Sequence, residues 1–279
     1  MGSKSGKLKL GAIVDTYNLK ARQFPVTVAL APAIVAALAA VPELHNQWGF
    51  LGGMVAGLGL PYAFAQAAGE AGYGLESGLY NSWGGMPSVS MLRHGDARID
   101  TITKQSYFEV LRSVGIPMPT ADDESRDSNA ADKAYEAASA WLRKETRDDK
   151  KYPRVKTELT NYGLARNLLG IRKPALIIAF GTIAAQTALI AIPMLQGQKV
   201  EPFVVLSLVF GLVMAFFWQH SVSVRWVRRA AEAYARALLE ACDQRKPPPA
   251  PKKNRAANAT TGKHKVKPAQ TTEASESPP

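Results

Sequence analysis

Apolar positions in this chain gather into four long runs separated by polar, highly charged stretches. The runs are Phe24–Pro42, Trp48–Ala68, Pro174–Leu195 and Pro202–Trp218, and none holds an Asp, Glu, Lys or Arg. Each is roughly 17–22 residues long, which is what an α-helix needs to cross hydrocarbon. A core helix of a soluble protein keeps a polar stripe, and a chain of 279 residues is too short to wrap four all-apolar helices in soluble layers. In lipid every backbone amide must be satisfied within its own segment, so each run is expected to be helical. Pro174 and Pro202 suit the first turn, where the missing N–H costs nothing. Trp48, Phe203 and Trp218 stand at run ends, where aromatic rings favour the interface.

Between and after these runs the periodicity is also helical, and no convincing β-alternation occurs. Arg98–Val114 reads as a helix with Ile99, Ile102, Tyr107, Val110 and Leu111 on its less polar side. GIPMPTADDESRDSN then reads as an acidic loop. Ser128 is the expected N-cap of a helix in which Ala131, Tyr135, Ala138 and Leu142 repeat at helical spacing. A third helix is expected over Arg154–Ile171. Trp83-Gly84-Gly85 interrupts whatever helix follows the second run. After the fourth run, SVSVRWVRRAAEAYARALLEACDQR is amphipathic, suited to lie on the membrane or to pack on the central domain.

The pattern predicts an all-α integral membrane protein: two transmembrane hairpins flanking a small cytoplasmic helical domain. Its parts are an N-terminal segment (1–23), hairpin one (24–68), the helical domain (69–173), hairpin two (174–218), the amphipathic helix (219–245) and a basic tail (246–279). That tail lacks Leu, Ile, Phe and Trp and is expected to be disordered.

Charge orients this layout. Net charge is +11, but of the chain's Lys and Arg the short connections 43–47 and 196–201 hold only Lys199 between them. By the positive-inside rule both face outward, leaving the N-terminus, central domain and C-terminus in the cytoplasm of a cell inner membrane. The central region is nearly balanced and no basic face carries interleaved aromatics, so nucleic acid is not an expected partner.

Small residues supply a packing argument. Gly49, Gly53 and Gly57 form an i, i+4, i+8 ridge that lets another backbone approach. Gly181 with Ala185, and Gly211 with Ala215, repeat that spacing. The expected partner is a neighbouring helix or a second copy, so a homo-oligomer is expected. Gln186 and Thr182 are the polar groups placed to bond across helices or line a pore.

Chemistry is sparse. The one cysteine, Cys242, excludes an intrachain disulfide and reads as a small apolar residue. The four histidines are scattered, with no zinc spacing, Walker A sequence or dinucleotide fingerprint, so no metal, cofactor or enzymatic role is expected. LRHGDARID brings Arg93, His94, Asp96 and Arg98 together as a candidate cytoplasmic site. The acid run Asp122, Asp123, Glu124, Asp127 does not match a calcium loop.

The strings NSWGGMPSVSMLRHGD (81–96) and KKYPRVKTELTNYGLARNLLGIRKP (150–174) resemble those of a bacterial membrane-protein family with the same two-hairpin layout. The resemblance spans roughly residues 10–245 and implies the architecture without an activity. The layout also resembles four-span membrane effectors of bacterial phage defence. The functional expectation is a membrane protein that self-associates through its spans and binds a protein or small ligand with its cytoplasmic domain. A gated pore is its sharpest form, and a membrane-anchored scaffold without a pore its rival.

Overall fold

A computed structural model describes residues 17–41 and 47–245, the side chains of 47–52 and 54–58 excepted. The protein is all-helical, with no strand among the described residues. In order the α-helices are α1 (Phe24–Ala40), α2 (Gln47–Trp83), α3 (Pro87–Ser90), α4 (Thr101–Ser113), α5 (Ala121–Arg126), α6 (Ser128–Glu145), α7 (Pro153–Gly170), α8 (Arg172–Leu195), α9 (Pro202–Phe216) and α10 (Val224–Leu239). π-Helical turns precede α1 (Asn18–Gln23) and follow α9 (Phe217–Ser221).

Local chemistry sets the boundaries. Asp100 caps α4 by accepting from the Thr103 amide, and Ser223 caps α10 through Trp226. Pro87, Pro153 and Pro202 occupy first turns. Two expectations are corrected. The cap of α6 is Asp127, which accepts from the Ala130 amide, and Ser128 is already helical. The acidic loop contains α5, because Thr120 and Asp123 cap each other reciprocally. The acid run is thereby divided among separate tasks: Asp123 and Asp127 are caps, while Glu124 accepts from the Tyr135 hydroxyl at 2.6 Å and the His94 amide at 2.9 Å.

Among the described residues, three helices are long and apolar enough to cross a membrane: Asn18–Ala40, Arg172–Leu195 and Pro202–Ser221. Less than a third of each is buried within the protein. Their outer faces expose Ile177, Phe180, Ile192, Leu206, Val213 and Phe216, a surface that water disfavours and lipid accepts. Trp48–Ala68 is helical, but it is the first part of a single 37-residue helix, α2, that continues through the polar stretch to Trp83. Gly84 and Gly85, at φ +78° and +128°, then end it in backbone that glycine favours.

α1, α8 and α9 pack on one another, while α2 packs first on α1 and then on α7. Arg172 ties the start of α8 to the end of α9, donating to the Trp218 and Gln219 carbonyls at 3.0 and 2.9 Å. A cation there also suits the negative end of the helix. The largest core joins Leu92, Phe108, Leu111, Tyr135 and Leu142 with Leu238, Leu239 and Cys242. Burying each large apolar side chain contributes roughly 1.5–3 kcal/mol. Residues of 69–173 therefore share this core with the segment that follows α9. Of the two placements expected for 219–245, α10 takes the packed one, against α7.

Candidate functional site

Where α2 leaves its apolar half it carries Tyr73, Glu76 and Tyr80 on one face, at i, i+3 and i+7. α7 presents Tyr162 and Arg166 at i, i+4, α10 adds Tyr234, and Tyr17 joins from beside the first π-turn. Together with Arg143 of α6 these side chains line a cavity of about 240 Å3.

An ion pair holds its floor. Arg166 is 3% exposed and pairs with Glu76. Its guanidinium lies 3.7 Å over the Tyr73 ring centroid and 5.5 Å from that of Tyr162. Tyr162 donates to Glu76 at 3.0 Å. A phenol has one proton, so in the 2.9 Å contact between the two hydroxyls Tyr80 is the donor to Tyr162. The Tyr162 and Tyr234 rings stack at 6.3 Å, within 1° of parallel. Burial opposes the charge of Arg166, but its hydrogen bonds to Tyr73 and Glu76 outweigh that and hold its pKa above the ordinary value. Burial raises the phenols of Tyr162, Tyr80 and Tyr234, keeping them neutral.

The opening differs from the floor. Arg143 is exposed and donates to Ser139 at 2.8 Å, with no carboxylate partner among the described residues. With Glu76 and Arg166 cancelling, Arg143 leaves the cavity one positive charge. Its chemistry suits a small anionic or acceptor-rich guest, or an acidic protein segment, held by phenols and a cation.

The cavity sits beside a tight helix crossing. A Cβ on Gly170 would meet the Gly72 nitrogen at 2.6 Å, and one on Gly72 would meet the Asn167 Oδ1 at 2.1 Å. Asn167 accepts from Arg166 at 3.3 Å and donates to the Ala21 carbonyl at 2.6 Å. A second cavity of about 390 Å3 is apolar, bounded by Phe64 and Ala71 of α2, Gly170 at the end of α7, and Pro174 and Ile178 of α8.

The sequence cluster Arg93, His94, Asp96 and Arg98 is indeed brought together, but as a clamp. Arg93 forms a bidentate pair with Asp132 at 2.8 and 2.7 Å. Arg98 holds Asp96, Glu232 at 3.1 Å and Ser90 at 2.7 Å. His94 meets the Pro119 carbonyl at 3.1 Å and turns edge-on to Phe108. Lys104 bridges the carbonyls of Arg93 and Asp96 at 2.6 and 2.7 Å. These contacts join the α3–α4 connection to α6 and α10.

Among the packing residues, a Cβ on Gly53 would lie 3.6 Å from Leu38, so this glycine faces α1 of the same chain. The surroundings of Gly49 and Gly57 lie outside the described residues. Gly181 and Ala185 are exposed, and nothing stands within 4 Å of a Cβ on Gly181. On α9, Ser207, Gly211 and Ala215 form a buried small-residue face, with Ile183 of α8 at 3.3 Å from a Cβ on Gly211. Thr182 bonds its own helix through the Ile178 carbonyl at 2.7 Å. Gln186 is 1% exposed, its carbonyl oxygen unpartnered among the described residues. The basic tail from Lys246 lies outside the described residues.

Sequence reading missed the tyrosine–arginine cavity. Its signal was present as two short helical faces, Tyr73/Glu76/Tyr80 and Tyr162/Arg166, but their meeting is a tertiary fact. The chain matches no protein-family model, no curated protein and no solved structure.

Proposed function

We propose that this is a multi-pass inner-membrane protein that receives a small anionic ligand or an acidic protein segment in its tyrosine–arginine cavity and passes that event to its spans. In this reading Trp48–Ala68 is a fourth span, the spans form two hairpins, and both termini are cytoplasmic. The spans associate with those of further copies, and a gated pore or membrane effector is the sharpest form of the outcome. The observation that carries the reading is the Glu76–Arg166 pair. It joins α2, which continues into an apolar run, to α7, which is separated from α8 by Ile171 alone. A guest that shifts this pair acts on the helix crossing four residues away at Gly72 and Gly170. The outward Gly181–Ala185 face leaves room for a second copy to approach.

Three measurements test it. In a Cys242→Ala background, a membrane-impermeant thiol reagent on intact cells should label a cysteine at position 198 and spare one at 133. Purified protein in detergent should associate, and in liposomes it should conduct ions. A strictly monomeric protein without flux ends the pore form.

The scaffold reading keeps one observation in its favour. The Arg93–Asp132 and Arg98–Glu232 clamps stiffen the surface formed by the α3–α4 connection, α6 and α10, as a fixed docking platform requires. Under that reading Gly181→Leu leaves both oligomeric state and partner binding unchanged; under the first it reduces association.

A further inference from the structure

An open concavity of about 780 Å3 lies where α9 gives way to α10. We propose that it binds the headgroup of an anionic phospholipid. The inference rests on Pro202–Ser221 lying in lipid, and it assigns a ligand to a place the tyrosine–arginine cavity does not include.

Chain order puts the concavity at the end of that apolar helix. The π-helical turn Phe217–Ser221 closes the span, Ser223 caps the next helix, and the lining residues run from Phe217 to Glu232. Three of them are arginines, Arg225, Arg228 and Arg229, with His220, Ser221 and Ser223 as further polar groups. Glu232 is the one acid in the lining, and it is already engaged by both Arg98 and Arg228 at 3.1 Å. Arg225 and Arg229, i and i+4 on α10, are exposed and have no carboxylate partner among the described residues. The concavity therefore offers two uncompensated guanidiniums, whose planar forks suit phosphate oxygens.

The rest of the lining selects an amphipathic ligand. Phe217 and Trp226 give it an aromatic wall, the ring type that settles at headgroup depth. Immediately before it, α9 exposes Leu212, Val213 and Phe216. A lipid whose phosphate meets Arg225 and Arg229 can lay its acyl chains along these residues, and a soluble phosphate gains nothing from them. The opposite face of α10, Val227, Ala231 and Ala235, is buried, so the arginines are presented outward by a fixed helix.

The test uses full-length protein in neutral detergent, titrated with phosphatidylglycerol or phosphatidylcholine and read by native mass spectrometry. Wild type should retain phosphatidylglycerol in preference to phosphatidylcholine. Arg225→Gln/Arg229→Gln should lose that preference by roughly tenfold to thirtyfold, the size expected when two charges leave a membrane surface. Arg225→Lys/Arg229→Lys should keep most of it. These side chains are exposed, and an unchanged unfolding temperature in the Gln variant confirms that its fold is intact. Equal retention of both lipids by wild type, or undiminished preference in the Gln variant, overturns the proposal. So does displacement of the lipid by inorganic phosphate at equal affinity, which marks a soluble-anion site. Failure of the membrane reading itself is distinct: the protein would then stay in the supernatant after high-speed centrifugation without detergent.

Discussion

The backbone nitrogen of Gly72 lies 2.6 Å from where a Cβ on Gly170 would stand, so α2 and α7 cross backbone to backbone. No rotamer change relieves such a clash, because the atoms in the way belong to the opposing main chain. Gly170→Ala should therefore destabilise at or above the usual overpacking cost of about 1–3 kcal/mol. Gly181→Ala, with nothing within 4 Å, should stay within about 0.5 kcal/mol of wild type. Thermal unfolding of the two variants in the same detergent makes the comparison.

Glu76 neutralises a guanidinium that is 3% exposed and also accepts the Tyr162 proton. Glu76→Ala strands that buried charge and should cost about 3 kcal/mol, the range for breaking a buried pair from one side. Arg143→Gln, at the exposed opening of the same cavity, should cost under about 0.5 kcal/mol. Denaturant unfolding should show the Glu76 effect as a shifted midpoint with little change in slope.

How far the sequence revealed this arrangement depended on the range of the interaction. The apolar runs, the Gly84–Gly85 break and the helices around Tyr135 and Tyr162 were legible because each depends on periodicity or turn chemistry within a few residues. The α6 cap was misplaced by one residue, since Asp127 and Ser128 are both good caps and their order alone does not choose between them. Crossing contacts were less accessible. The i, i+4 rule singled out Gly49, Gly53 and Gly57 on α2, yet among the described residues the closest backbone-to-backbone approach pairs Gly72, farther along that helix, with Gly170 on α7, 98 positions away. The residues at 93–98 stand together along the chain, but the partners that hold Arg93 and Arg98, Asp132 and Glu232, lie on other helices.

Cys242 packs in the main core at 1% exposure, and burial pushes its thiol up to about 12. A raised folded pKa contributes stability that is fully present below the unfolded thiol's pKa, about 8.5, and is lost as pH rises toward the folded value. Wild type should therefore lose stability relative to Cys242→Ala between about pH 8.5 and 12, and the stability difference between the two should be flat below that window. As the chain's one cysteine, it also reports on unfolding. A thiol reagent at neutral pH should react at the rate at which this core opens, and adding denaturant should accelerate it.

Gln186 presents the opposite case, a polar group whose removal should help. Its side chain is 1% exposed within one chain, so it cannot reach a second copy, and its carbonyl oxygen is unpartnered among the described residues. A buried acceptor without a partner costs about 1–3 kcal/mol, and in an apolar span no solvent offsets it. Met is an unbranched, flexible side chain of nearly the same length that lacks the amide, so Gln186→Met should leave the packing of α8 in place. It should raise the unfolding temperature, by an amount corresponding to about 1 kcal/mol or more, without changing the oligomeric state in detergent. A fall in stability would mean that the amide bonds across helices after all, and a lower oligomeric state would place that bond between chains.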